Sequence, residues 1–468
     1  MKPLKTLDPA LPGDWNPKRL MLLAVLGQLM MIAVAVRHEF VYGGSFYWLL
    51  HGFEAFGLLA ATVVSALALS RVLRQASSLD FDFLVRVGLL LTLLATLAPP
   101  FLSDDVWDYL ARGRLDWLGE NTYTETVEAH RKTLEGLEPY AERARWTEWA
   151  MPYGPVAALL QMLASAFEPP LLAAYVWKVA MAVCHVLTAV LVLLTLRIVA
   201  DEREARRGFV LWLWNPWLLL ESCGSGHNDA LLGMLLALSG YGIAKTRYFM
   251  STSSYGLAML VKHGSPPILP VWLAVAYHQR QLRGFALGSL ATVGVVFVAY
   301  LAYWNVPGGL DWIIKQNNVA YGSVSVMLGQ LFGPWCGSAL RMAGLLATLL
   351  VIGLACKRAR DPQSAGRLAI LAMVLWVLLF VPNFSPWYHL WWLPLFALAN
   401  LPVLSRVLEL LAWTGPLGYL VYAGTHGFGI LHETWMLLLA GVWPCLLILL
   451  DWRSFVGKPP KPAAKPKS

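Results

Sequence analysis

The acidic pair Asp104-Asp105 follows a Pro99-Pro100 break at the end of an apolar run. One of two adjacent carboxylates can take the proton from an attacking hydroxyl while its neighbour keeps that base charged or contacts the ligand. Asp is also favoured at helix starts, so capping in a solvated loop is the plainer reading of the same residues. A second constellation, Glu221-Ser222-Cys223-Gly224-Ser225-Gly226-His227-Asn228-Asp229, lies between two apolar runs. Its Gly-rich turn offers backbone donors, an imidazole and carboxylates, the groups that hold a phosphate and a sugar hydroxyl. A cap for the following helix accounts for Asn228 and Asp229 and leaves Glu221 and His227 unexplained.

Lys262-His263 interrupts the apolar segment 255–277. An unpaired charge at membrane depth is costly, and a phosphate ligand or a carboxylate partner removes that cost. A lysine snorkelling to the interface is the alternative. Arg112 and Arg114 present the rigid donor fork that suits phosphate, although surface arginines are common. Trp149 to Pro155 and Pro386 to Trp392 mix bulky aromatics with chain breakers. Interface anchoring explains most of these rings. Sugar stacking is the sharper reading for Trp387 and Tyr388, with Tyr153 beside them. The turn 305–323, with Trp312, Lys315, Gln316, Asn317 and Asn318, has enough polar side chains to line an acceptor cleft.

The elements that must position these groups are membrane helices. The chain of 468 residues is 58% hydrophobic and 14% charged, with a mean hydropathy of +0.57. Soluble domains carry roughly a quarter charged residues, so too little polar material is present to cover an aqueous globule. Apolar runs near 20–36, 47–70, 83–99, 171–197, 209–222, 228–244, 284–304, 336–356, 367–381, 388–402, 408–425 and 434–450 are the candidate spans. Several reach the roughly 20 residues a helix needs to cross the hydrocarbon core. The first follows a basic leader but lacks a small-residue cleavage pattern, and reads as a retained anchor. Segment 153–167 is short for a span, and 255–277 reads as two half-helices that enter and return. The fold expected is all-α and polytopic, with 12 to 14 membrane helices.

Charge orients these spans. Basic residues cluster at 197–207, 245–247, 278–283 and 357–367 and at both ends of the chain, which places both termini in the cytoplasm. The net charge of +8 therefore reflects topology, and no nucleic-acid partner is expected. Residues 100–152 differ, holding eleven acidic residues against six basic ones. They read as an external loop in which an amphipathic helix from Asp105 lies along the membrane surface. The organisation expected is N-terminal helices over 1–100, this loop over 101–152, the remaining bundle over 153–450 and a basic tail over 451–468. The five cysteines have no paired spacing, so neither a zinc site nor a disulfide framework is encoded locally; a Cys223 to Cys336 bridge is weighed against buried free thiols, which the composition favours.

In this order the motifs resemble the membrane glycosyltransferases of the GT-C superfamily, especially the branch of alpha-mannosyltransferases that use polyprenyl-phosphate mannose. The resemblance covers about 95–400 and rests on Ser103-Asp104-Asp105-Val106-Trp107, Gly119-Glu120-Asn121-Thr122-Tyr123, Pro152-Tyr153-Gly154-Pro155, Asn215-Pro216 with His227-Asn228-Asp229, Lys262, and Pro386-Trp387-Tyr388. Trp107 and Thr122 stand where that family usually has Tyr and Pro. The resemblance implies Asp105 as general base, with Asp104 the close second candidate. It implies inverting transfer from a polyprenyl-phosphate sugar to a hydroxyl of a glycolipid or glycan in the bacterial cytoplasmic membrane, at an external site. His227, Asn228, Asp229, Lys262, Arg112 and Arg114 would hold the donor, with no metal and no cofactor. Mannose is favoured through the resemblance alone; glucose or arabinose stays open.

Two readings from other classes compete. A transporter of an isoprenoid-linked sugar or lipid would explain broken helices and buried polar groups but predicts inverted repeats, which the sequence lacks. A noncatalytic subunit of envelope assembly would not need both aspartates and His227.

Overall fold

A computed structural model describes residues 15–42, 52–100, 102–302, 323–424 and 442–457. The turn expected to line an acceptor cleft lies almost wholly outside them, as does the tail beyond 457. The described chain is helical throughout. It opens with α1 (Pro17–Tyr42), α2 (Gly52–Gln75) and α3 (Phe81–Leu97). The polar segment contains α4 (Asp105–Trp117), α5 (Val127–His130) and α6 (Glu138–Ala141), followed by α7 (Pro155–Ser165) and the long α8 (Pro170–Val199). Then come α9 (Glu202–Leu213), α10 (Pro216–Leu219), α11 (Asp229–Ala244), α12 (Tyr248–Met259), α13 (Ile268–His278) and α14 (Leu282–Ala302). The last part holds α15 (Val324–Phe332), α16 (Pro334–Arg358), α17 (Pro362–Leu375), α18 (Phe396–Ala399), α19 (Pro402–Gly424), α20 (Trp443–Leu450) and α21 (Trp452–Val456).

Among the described residues, six helices are long and apolar enough to cross a membrane: Pro17–Phe40, Glu54–Gln75, Pro170–Val199, Leu282–Ala299, Pro334–Arg358 and Pro362–Phe380. The protein is a polytopic all-α membrane protein. α8 is its central post and packs on α3, α7, α9 and α11. The basic turns expected on one side do meet. Arg206 donates to Ser77 O (3.2 Å), Gln363 to Val199 O (2.9 Å) and Gln279 to Arg360 O (3.1 Å).

Three expected elements change. The run 209–222 is not one helix, because Asn215-Pro216 breaks it. Pro216 has no N–H to continue α9, and Asn215 caps the new start by accepting from Trp217 N (3.1 Å) and Leu218 N (3.4 Å). The chain then widens into a π-helical turn over Leu220–Gly224. The run 388–402 is not a span either. Pro386 and Pro394 cut it into the 3₁₀ turns Pro386–Trp391 and Leu393–Leu395 and the short α18, folded against α11. Finally, α4 has no exposed face over most of its length, unlike a half-solvated amphipathic helix. Every residue from Val106 to Leu115 is buried, because α6, α7 and α8 enclose the helix. The segment 255–277 does split as its sequence suggests, with a turn over 260–267 between α12 and α13. All five cysteines are free, so Cys223 and Cys336 form no bridge.

Candidate functional site

α3 stops at Ala98 because two prolines follow, and α4 starts where the Ser103 hydroxyl accepts from Asp105 N (3.2 Å). α8 fixes both this start and the turn before α11. Its Lys178 donates to Ala98 O, and its Trp177 indole donates to Gly226 O (2.6 Å). Gly226 takes φ +69°, and an added Cβ would meet Lys178 Cγ at 3.1 Å. Only glycine fits a left-handed position this close to α8.

The turn so placed carries His227 to Asp105. His227 Nδ1 lies 3.4 Å from Asp105 Oδ2, and Nε2 lies 3.3 Å from Glu221 Oε2. The imidazole stacks on Trp387 with ring centroids 3.9 Å apart. The Tyr109 hydroxyl donates to Asp105 Oδ2 (3.2 Å) and lies 3.4 Å from Asn228 Oδ1. Asp229 accepts from Lys262 Nζ with both oxygens (3.1 Å each) and from the Trp391 indole (2.5 Å). The Lys262 ammonium also sits over the rings of Tyr388 (5.0 Å), Tyr153 (5.5 Å) and Trp391 (5.6 Å). Tyr153-Gly154-Pro155 docks on the break that holds this lysine, with Gly154 N donating to Val261 O (3.0 Å). A Cβ on Gly154 would stand 2.2 Å from Leu260 O, so the approach requires glycine.

A cavity of about 600 Å³ opens in front of these groups. Asp105, Arg112, Tyr153, Lys262, Trp387 and Tyr388 line it, together with Asp108, His263 and Arg341. Asp104 does not line it. His227, Asn228 and Asp229 form a layer behind the wall, each fully buried. Arg114 stands apart from the cavity. It pairs with Glu168 and donates to the carbonyls of Gly136 and Ser165 (3.3 Å each), a brace for the polar segment with no free fork for phosphate. Arg112 is braced too, donating to Trp146 O (2.9 Å) and Trp149 O (3.3 Å), yet it still faces the cavity.

The three aspartates of α4 differ in charge. Burial works to raise Asp105, but the His227 ring, the Lys262 ammonium and the Tyr109 hydroxyl outweigh it and hold the carboxyl below its ordinary range. Burial pushes Asp104 up to about 7, with the charge of Asp108 adding to the effect. Burial likewise pushes Asp108 up to about 7, against the pull of Arg112. Burial disfavours the charged form of His227, yet the flanking carboxylates Asp105 and Glu221 prevail and carry it up to about 9. At neutral pH Asp105 is an available base facing a charged imidazolium. Among the described residues, no three His, Cys, Asp or Glu side chains converge as a metal site.

Asp108 and Arg341 were not among the residues singled out by sequence, although each carries a signal. Asp108 is one helical turn from Asp105 and so shares its face. Arg341 is the one charged residue within the apolar run 336–356, and a charge at that depth normally marks a pathway or site.

The chain is similar to known mannopyranosyltransferases. The profile of the family described as "Alpha-(1->6)-mannopyranosyltransferase, N-terminal domain" matches residues 21–278. The chain is 26% identical over 364 residues to alpha-(1->6)-mannopyranosyltransferase A of Mycobacterium tuberculosis, covering 71% of this chain and 68% of that one. It is 26% identical over 352 residues to alpha-(1->6)-mannopyranosyltransferase B of Corynebacterium glutamicum, covering 65% of this chain and 57% of that one. A probable alpha-(1->6)-mannopyranosyltransferase of Mycolicibacterium smegmatis is 25% identical over 444 residues, covering 81% and 76%. No solved structure matches the chain. Since the family profile spans more than half of its length, the chain belongs to the alpha-(1->6)-mannopyranosyltransferase family of GT-C-type membrane glycosyltransferases.

Proposed function

We propose that this protein transfers mannose from a polyprenyl-phosphate mannose to a hydroxyl of a glycolipid or glycan, with inversion at the anomeric carbon. The observation that carries this reading is Asp105: a carboxylate on the wall of a 600 Å³ cavity, held ionised by His227 and Lys262. That volume suits a sugar and its phosphate. The acceptor O–H proton moves to Asp105 as the acceptor oxygen bonds to the anomeric carbon. The bond from that carbon to the phosphate oxygen breaks, and its electron pair leaves with polyprenyl phosphate. A donor β-linked to phosphate then gives an α-linked product, in keeping with the linkage named for the three relatives.

The leaving phosphate is already anionic and needs fixed positive charge more than a proton. Lys262, Arg341 and Arg112 supply that charge along the cavity wall. Trp387, Tyr388 and Tyr153 offer ring faces and edges to the sugar. His227, Asn228 and Asp229 act from behind, orienting Asp105 and Lys262. Asp104 is off the cavity wall, so Asp105 is the better placed base. Beside the six long helices, the shorter apolar helices Pro155–Ser165, Asp229–Ala244 and Ile268–His278 support at least nine membrane segments among the described residues. The meeting of the basic turns supports a cytoplasmic face there, with the cavity on the external side and both termini inside.

The test is transfer by purified protein from radiolabelled polyprenyl-phosphate sugars to total envelope lipid, comparing wild type with Asp105→Asn and Asp104→Asn. Labelling from the mannose donor that disappears only in Asp105→Asn is the expected result. Loss only in Asp104→Asn would move the base. No transfer from any donor by folded protein, with acceptor confirmed present, would remove the enzymatic reading.

A further inference from the structure

Glu221 has no part in the reaction as just described, yet its position is unusual. Its side chain is fully buried, at a depth where an unpaired carboxylate is expensive. It sits in the π-helical turn over Leu220–Gly224, a wide turn that recurs at functional sites. Its oxygens accept from the Tyr419 hydroxyl (2.9 and 3.1 Å) and face His227 Nε2 at 3.3 Å. The other ring nitrogen of His227 faces Asp105 at 3.4 Å. Each ring nitrogen therefore lies within ion-pair distance of a carboxylate oxygen, though neither contact has the alignment of a hydrogen bond. A neutral imidazole has one N–H and one lone pair, so it would aim that lone pair at one of the two carboxylates. Only the doubly protonated ring suits both.

We propose that Glu221 is a positioning residue of the transfer reaction, which holds His227 as the imidazolium and through it keeps Asp105 ionised in the cavity. The inference rests on the reading of Asp105 as base. The other nearby cation cannot easily take over, because both oxygens of Asp229 already engage Lys262. The remaining titratable and charged groups around Asp105 are Asp104, Asp108, Tyr109 and Arg112 at the start of and along its own helix, Tyr153 just before α7, Tyr388 in the turn Pro386–Trp391, and Arg145 of the polar segment. Asp104 and Asp108 oppose ionisation of Asp105 by their own charge, which leaves His227 as its principal support. His227 itself meets Asp105, Glu221 and the uncharged face of Trp387. Two carboxylates flanking one imidazolium leave a net charge of −1. Proton uptake from the acceptor brings the triad to zero, so the resting charge pattern favours the transfer it must make.

Glu221→Gln keeps the shape and removes the charge. The variant is measured as the pH dependence of mannose transfer from polyprenyl-phosphate mannose to envelope lipid. The acid limb of the profile is expected to move up by about one pH unit, since an opposite charge at this distance is worth roughly that or more. Below the limb the rate falls about tenfold, at alkaline pH it recovers, and donor KM stays unchanged. Tyr419→Phe removes one donor to Glu221 and moves the limb in the same direction by less, which keeps the test open where Glu221→Gln fails to fold. A profile that keeps its shape in both variants, whatever its height, overturns the inference, because a merely structural residue lowers the rate equally at every pH. Asp105→Asn separates the two claims. A rate retained in that variant sinks the reading of the base, whereas its loss together with unshifted Glu221→Gln and Tyr419→Phe profiles sinks only the role of Glu221.

Discussion

Asp105 and Asp229 each open a helix, α4 and α11, and each faces a cation beside aromatic rings. Their surroundings assign them different work. Asp105 keeps about a fifth of its side chain exposed to the cavity, whereas Asp229 is sealed and engages Lys262 with both oxygens and Trp391 with one. A carboxylate that must accept a proton from a ligand needs a free, accessible oxygen. One that orients a lysine needs neither access nor a free oxygen. The pair illustrates how one residue type at one helical position becomes a reagent on the wall and a strut behind it.

The comparison breaks most sharply through Asp105→Asn, which is expected to cut kcat by about 10³-fold, the middle of the range for a general base, with little change in donor KM. Asp229→Asn is expected to act through Lys262, lowering kcat/KM about tenfold, chiefly as weaker donor binding in a titration with polyprenyl-phosphate mannose. A fall in kcat equal to that of Asp105→Asn would erase the distinction between wall and strut.

A smaller effect concerns Asp108, which lines the cavity beside Asp105 and titrates at about 7. Its affinity for protons is raised, so it is neutral below that pH and negative above it. Donor KM is therefore expected to rise a fewfold as pH climbs through 7, since a new negative charge opposes an anionic phosphate. Asp108→Asn, neutral at every pH and still able to accept from Trp146 N, should flatten that rise. The smallest catalytic effect is expected from Arg114→Ala. It removes the ties to Glu168, Gly136 and Ser165, so the measured change should be a lower melting temperature, with kcat/KM per folded molecule unchanged.

Much of this arrangement is legible in the sequence. Hydropathy alone demands membrane helices, since few charges are available to solvate a surface. The interruption at Lys262 to Pro267 announces a broken segment, because prolines cannot continue a helix and a charge at that depth needs a partner. The motif order points to the transferase family that the profile match bears out. Other features are not legible. Arg112 and Arg114 are two residues apart on one helix and so point about 200° apart, but only the packing of α4 against α6 and α7 decides which faces the cavity and which becomes a brace. The run 388–402 reads as a span by hydropathy but folds into short turns against α11, because Pro386 and Pro394 deny it continuous hydrogen bonding.

What the sequence determined by itself is therefore the local chemistry: which stretches are apolar enough for lipid, where helices must break, and which side chains carry charge. Only the tertiary structure decided which of those charges meet. Asp105, the turn carrying Glu221 and His227, Lys262 and Tyr419 come from four separate parts of the chain, and their juxtaposition depends on the rotation and depth of each helix about the α8 post. Those angles follow from packing summed over many distant contacts, which no local pattern encodes. The choice between Asp104 and Asp105 turns on the same cause. Neighbouring residues on a helix point about 100° apart, so the surroundings of α4 decide which one reaches the cavity.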